Sequence, residues 1–388
     1  MKYMRKVRLV SLAAAMFAAV AASAEVVVDA SGVGKALIPV SVSVADADFA
    51  KSLKKNLELS GLFTVAANGA VRVSGASGAV TAQGAGKIVR LADAFGDAKA
   101  ARMAARKLAN SMCEAYGGQR GFALDRIVFL SRGRSGSEIC TAYPDGYDIR
   151  SVTSDGKAAV GIRWKDAQSV FYTGFLNAGP QVFELNTDTG ARRLKWSFKG
   201  LTTGAAVSPD GGRVAIILSF QGNPELYVID LATSQWTRMT KTPGASEGQP
   251  AWSPDGRRIV YVSDETRHPQ LYVVDVATKE RRRLTSRGAQ SVDPDWGPDG
   301  RIAYVSKQGG QSRLAVLDPA QGESGAKYVT AAGSWEHPSW ARDARHLVAG
   351  RDKALFVVDT ELRRDGTPET PRQVFQANGN WCDPSWSR

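Results

Sequence analysis

The sequence predicts a mainly β chain, a six-bladed β-propeller preceded by a small α+β domain, and three observations carry that expectation. Trp252, Trp296, Trp340 and Trp386 recur at steps of 44, 44 and 46 residues. One phrase repeats around them: Ala251-Trp252-Ser253-Pro254-Asp255-Gly256 leads into Tyr261-Val262-Ser263, and Asp295-Trp296-Gly297-Pro298-Asp299-Gly300 into Tyr304-Val305-Ser306. The last anchor, Trp386, has only Ser387 and Arg388 after it, while strand-like runs lacking an anchor of their own stand at 126–153. A fixed period of strand-like text marks a repeat architecture, and four short antiparallel strands per repeat make a propeller blade.

The first 24 residues read as a signal peptide. Lys2, Arg5, Lys6 and Arg8 precede an Ala-rich apolar run over 9–20, and Ala22-Ser23-Ala24 is a small-residue cleavage site, so the mature chain is expected to be exported and to begin at Glu25. The competing reading is a retained anchor, for which the run is short and Ala-rich. Removing the n-region takes the formal charge from +12 to +8.

Residues 25–122 lack the repeat and read as the α+β domain. Strands are expected at 26–28, 37–44, 71–73 and 87–90. Helical spacing covers 47–60, with Phe49, Leu53 and Leu57 on one face and Gly61 as the stop, and 97–116, ending at Gly117-Gly118. The Gly/Ala-rich stretch 66–86 reads as partly loose.

The propeller follows over 126–388. The clearest blade has strands at 249–253, 257–263, 270–275 and 281–285, the first pair joined by a Pro-Asp-Gly turn. The same template puts anchors at Trp164 and Val207, with diverged turns after Trp164 and Trp340. The strand holding Trp386 is expected to complete the blade begun at Arg126, closing the ring and removing its open edges.

Chemistry-bearing patterns are few. Gly244-Ala245-Ser246-Glu247-Gly248 matches the nucleophile-elbow string, but no strand-to-helix turn or hydrolase sheet surrounds it, so a chance match is the reading. Asp210, Asp255 and Asp299 occur once per blade, as tight turns require, rather than converging on calcium. The three histidines are scattered, and no zinc-ligand spacing occurs, so neither metal nor cofactor is expected. Cys113, Cys140 and Cys382 are an odd set that leaves at least one free thiol, with any pairing open. The run Arg281-Arg282-Arg283 fits a solvated strand edge better than a nucleic-acid patch.

What remains is surface. The connections into each blade's inner strand, at 154–162, 196–206, 241–250, 286–294, 331–338 and 376–384, should open at one mouth of the channel. They hold Glu247, Gln249, Asp293, Trp335, Glu336, His337, Asn380 and Trp381, a mixture of polar and aromatic groups suited to protein recognition. The alternative is that Trp335 and Trp381 merely cover the channel.

With these elements in place the chain resembles the TolB family of periplasmic propeller proteins of the Tol–Pal envelope system. Val28-Asp29-Ala30-Ser31-Gly32-Val33, Leu57-Glu58-Leu59-Ser60-Gly61-Leu62-Phe63 and Asp145-Gly146-Tyr147 carry the resemblance beside the blade phrase. It covers nearly the whole chain, with a shorter stretch between Val65 and Lys87 than is usual. The resemblance implies a monomeric non-enzyme that binds the peptidoglycan-associated lipoprotein Pal at the channel mouth and supports outer-membrane integrity and invagination at division. It also implies a switch segment, Glu25, Val26, Val27, Val28, Asp29, Ser31 and Gly32, that engages TolA. Peptidase-associated propellers share the blade phrase, so the alternative is an accessory or orphan relative of prolyl peptidases binding peptides or glycans.

Overall fold

The computed structural model describes residues 36–387 other than 135, 178, 221, 289 and 376–378. The signal peptide, the strand expected at 26–28 and the switch segment lie outside the described residues.

The N-terminal domain is a five-stranded sheet covered by two helices. Its strands are β1 (Ile38–Val44), β2 (Phe63–Val65), β3 (Val71–Ala76), β4 (Ala79–Gly84) and β5 (Lys87–Leu91), in the order β2-β1-β3-β4-β5. Alternation sets the buried face: Val71 and Val73 are buried, whereas Arg72 and Ser74 are exposed. The stretch expected to be loose is instead a regular hairpin, Val71 pairing with Gly84 and Val73 with Ala82. Its Gly/Ala composition hid the apolar alternation, yet Val80 and Ala82 reach the core.

Helix α1 (Ala47–Leu59) starts where the Asp46 carboxylate accepts the Phe49 N–H at 2.8 Å, and α2 (Ala98–Met112) where Asp97 does the same for Ala100. Phe49, Leu53, Leu57, Leu108 and Met112 close the core over the sheet. The chain leaves α1 through Gly61 at φ +63°, where a Cβ would lie 2.7 Å from an Asp359 oxygen of the propeller, so only glycine fits this approach.

Six four-stranded antiparallel sheets follow, in the order expected of a closed ring. Blade 1 takes Ile127–Arg132, Ser137–Ala142 and Arg150–Ser151 from its own stretch and its inner strand, Trp381–Trp386, from the end of the chain. Trp386 pairs with Ile127 and Cys382 with Leu130. Cys382 therefore shares a sheet face with Leu130 and Ile139, whereas Cys140 lies opposite Phe129 on the other face. That geometry separates the two thiols, and all three cysteines are free and buried.

The anchor tryptophans are core: Trp252, Trp296, Trp340 and Trp386 are buried at blade junctions. An arginine of one blade lies over the anchor of the next at four junctions: Arg126 on Trp164, Arg213 on Trp252, Arg258 on Trp296 and Arg301 on Trp340, at 5.0–5.3 Å from the ring centroid. At the closing junction the place over Trp386 is taken by Phe122 of the domain connection, edge-to-face at 5.1 Å. Arg345 of the sixth blade is turned instead to Asp359, at 2.5 Å, and to the Gln119 amide oxygen.

The domain interface is polar and buried. Arg106 of α2 forms a two-pronged pair with Asp145 in the outer turn of blade 1, both bonds 2.9 Å and both side chains fully buried. Ser52 and Asn56 of α1 donate to the same carboxylate. Arg102 joins Asp148 to Asp48, and the Lys55 ammonium donates to the Gln373 carbonyl of blade 6.

Candidate functional site

The inner strands begin earlier than the sequence suggested. They run Glu247–Trp252, Gln290–Trp296, Trp335–Trp340 and Trp381–Trp386 in the blades that hold candidate residues. Seven of the eight candidates therefore stand on inner strands, and Asn380 immediately precedes one. Prolines caused the difference, because Pro250, Pro294, Pro338 and Pro384 read as strand breakers. Each sits at a β-bulge, where the ladder skips and a missing N–H is tolerated, as between Gly248 and Ala251.

Immediately before each proline the backbone turns left-handed: Gln249 at φ +52°, Asp293 at +52°, His337 at +47° and Asp383 at +50°. The other two blades place Gly161 at +64° and Gly204 at +70° in the same position. All six lie three residues before an anchor, so they form a ring with the same period as Trp164, Val207, Trp252, Trp296, Trp340 and Trp386. Non-glycine residues adopt this conformation at a cost, and Asp and His are among those that do so most readily. The conformation brings side chains of neighbouring blades into contact around the axis.

Those contacts run from blade to blade. The Gln249 amide donates to the Asp293 carboxylate, and the Asp293 N–H donates back to Gln249 Oε1 at 2.9 Å. The His337 N–H donates to Asp293 Oδ2 at 3.3 Å. The imidazole Nδ1 lies 3.5 Å from Asp293 and 3.7 Å from Asp383. Asp383 accepts the Gly161 N–H at 2.5 Å and faces the Arg163 guanidinium at 3.6 Å. Burial opposes a charge on His337, but the Asp293 and Asp383 carboxylates outweigh it and hold the imidazole above its ordinary pKa. One half of the ring thus sets a histidine able to carry charge, His337, between two carboxylates, Asp293 and Asp383. Gln249, Asp293 and His337 were legible candidates; Gly161, Gly204, Asp383 and Arg163 were missed, although subtracting three from every anchor finds all but Arg163.

The remaining candidates divide. Glu247 is buried between blades 3 and 4 and accepts from Thr242 at 2.6 Å and Ser263 at 3.1 Å. Burial, reinforced by Glu225, pushes its carboxyl up to about 7. Trp335 is buried under Arg351 and against Phe356, and Trp381 packs on Phe375 and Phe129. Both rings pack among neighbouring side chains. The Glu336 side chain lies over Gly350, and the Asn380 carbonyl accepts the Arg132 N–H at 2.8 Å.

The string from Gly244 to Gly248 runs from a loop into an inner strand, so no strand-to-helix elbow presents Ser246. Among the described residues no three His, Cys, Asp or Glu side chains converge as a metal site. Among the same residues no helix is long and apolar enough to cross a membrane.

The model of the TolB β-propeller domain matches residues 113–388. The chain belongs to the TolB β-propeller family. A curated relative, the Tol-Pal system protein TolB of Desulfosudis oleivorans, is 28% identical over 140 residues. That match takes in 36% of this chain and 32% of the relative, so the chain spans about a third of the length of the TolB protein it matches. The crystal structure of TolB from Acinetobacter baumannii superposes with a TM-score of 0.76 over 92% of this chain and 98% of its own, at 22% identity, which shows a shared fold. A chain of the nidogen/laminin complex shares the fold more distantly, with a TM-score of 0.55 at 11% identity over 68% of this chain and 98% of its own. TolB membership therefore rests on the family match, and the propeller shape alone does not specify a function.

Proposed function

We propose that this chain is a non-enzymatic, periplasmic binding component of a Tol–Pal envelope system. Its propeller mouth, centred on Gln249, Asp293, His337 and Asp383, takes a Pal-like outer-membrane lipoprotein. Its N-terminal segment, residues 25–34, engages a TolA-like inner-membrane protein, and binding at one site disfavours binding at the other. In this reading the complex supports outer-membrane integrity and invagination at division, and residues 1–24 direct export before cleavage after Ala24.

The observation that carries the reading is the TolB-domain match over 113–388. The linked side chains of Gln249, Asp293, His337 and Asp383 support it, because preorganised polar groups brought together from neighbouring blades suit protein recognition. A pull-down from envelope extract tests it. Recovery of an outer-membrane lipoprotein carrying a peptidoglycan-binding domain supports the proposal. Retention of peptides or glycans with no such lipoprotein overturns it in favour of a peptidase-type accessory propeller.

A further inference from the structure

Beside the ring, the anchor ends of the inner strands and Arg120 of the domain connection line a cavity of about 540 Å³. Its volume lies in the range of sites for small organic molecules. Trp252, Trp296 and Trp386 and the turn prolines Pro209, Pro254 and Pro298 form an apolar wall.

The charged groups on that wall are unbalanced. Among the described residues, Arg120, Arg163, Lys165 and Arg342 face a single acid, Asp295, whose carboxylate accepts the Trp340 N–H at 2.8 Å. Lys165 is held by Glu184 at 2.5 Å, and Arg163 lies 3.6 Å from Asp383. Arg120 and Arg342 form no ion pair among the described residues. Both charges are felt at Asp125, whose carboxyl is pushed up to about 6 by burial and is hydrogen-bonded to the Arg342 backbone, but it forms an ion pair with neither guanidinium.

Two buried donors at this cavity also lack acceptors. Arg342 Nε has none, and neither has the Trp386 indole N–H, although the indoles of Trp164, Trp252 and Trp340 donate to carbonyls of neighbouring strands. Buried donors without acceptors are uncommon and destabilising.

We propose that this cavity binds an organic anion, its carboxylate or phosphate held between Arg120 and Arg342 and its apolar body against the tryptophan and proline wall. Arginine suits oxyanions because its planar donors meet two oxygens at once. Arg120 belongs to the connection between the domains and Arg342 to the first turn of blade 6, so the anion ties the connection to the ring. Ligand binding to the folded state then raises thermal stability. The site adjoins the ring through Arg163, which lines the cavity and faces Asp383, but it stands independently of the Tol–Pal reading.

Calorimetry and thermal unfolding of the full chain, with ionic strength fixed by sodium chloride, test the inference. The probes are N-acetyl-tryptophan, a carboxylate with an apolar body, and inorganic phosphate, the oxyanion alone. Saturable binding is expected, tighter for N-acetyl-tryptophan, with a rise in melting temperature. Arg342→Gln and the exposed-site variant Arg120→Gln should each weaken it roughly tenfold or more. Arg193→Gln, on the exposed outer strand of blade 2, should leave it unchanged. Circular dichroism establishes that each variant is folded. Absence of saturable binding, or binding unaltered in Arg120→Gln and Arg342→Gln, overturns the site. Equal affinity for phosphate and N-acetyl-tryptophan overturns the role given to the apolar wall.

Discussion

Replacing Asp145 with alanine should separate the unfolding of the two domains. Asp145 is fully buried and takes two 2.9 Å bonds from Arg106, one of 2.7 Å from Ser52 and one of 3.1 Å from Asn56. The substitution leaves the buried Arg106 guanidinium with a single carboxylate partner, Asp148 at 2.8 Å, and with the Tyr143 ring at 3.9 Å. Breaking a buried pair by removing one partner costs about 3–5 kcal/mol. The surviving contacts place the loss toward the lower end, ~3 kcal/mol, a factor of more than a hundred in the docking equilibrium.

The sequence supplies two separate reporters. All nine tryptophans lie at or after Trp164, in the propeller, whereas both α-helices among the described residues belong to the N-terminal domain. In urea, the helical signal at 222 nm should therefore fall at lower concentration than the tryptophan signal in Asp145→Ala, and the two should lie closer together in the parent chain. If the variant loses less than ~1 kcal/mol and both signals move together, the buried pair does not hold the domains, and the electrostatic argument fails.

Other consequences follow from single groups. Glu247 has a carboxyl raised to about 7, so stability should fall as pH rises from its ordinary value of 4.5 through 7, by at most ~3 kcal/mol, and Glu247→Gln should flatten that slope in urea unfolding at pH 5 and pH 8. His337 titrates above 6.5 between two carboxylates, so its contribution is complete below 6.5 and is lost as pH rises through the raised value. His337→Gln should remove that alkaline loss in the same experiment. Phe122 is buried against Trp386 and His346, in the place where four other junctions set an arginine over the tryptophan, and Phe122→Ala should cost about 3–5 kcal/mol in thermal unfolding.

The propeller was legible because its period is written in large residues that cannot be exchanged cheaply. Trp252, Trp296, Trp340 and Trp386 fill blade junctions, so the core itself spelled the repeat. Ring closure was legible because the chain ran out at Trp386 with blade 1 still lacking a strand. The candidate ring was only half visible. Its residues, Gly161, Gly204, Gln249, Asp293, His337 and Asp383, share a backbone conformation but no common side chain, so no single letter marks the position in every blade. The prolines beside four of them also concealed that the strand continues. The hairpin between Val71 and Gly84 was hidden for a different reason: glycine and alanine satisfy a backbone ladder without producing an apolar alternation. The Arg106–Asp145 pair joins residues 39 positions apart through two domains, a relation no local pattern records.

The central claim is that the ring at the channel mouth recognises a partner. The measurement that tests it most directly is the dissociation constant of the folded chain for the peptidoglycan-binding domain of a Pal-like lipoprotein, compared with Asp293→Ala and with an outer-strand control, Arg193→Gln. The account predicts a loss of roughly tenfold or more for Asp293→Ala, because Asp293 organises Gln249 and His337 at the centre of the surface, and no change for the control. Equal affinities for the parent chain and Asp293→Ala, with the variant folded, would contradict it.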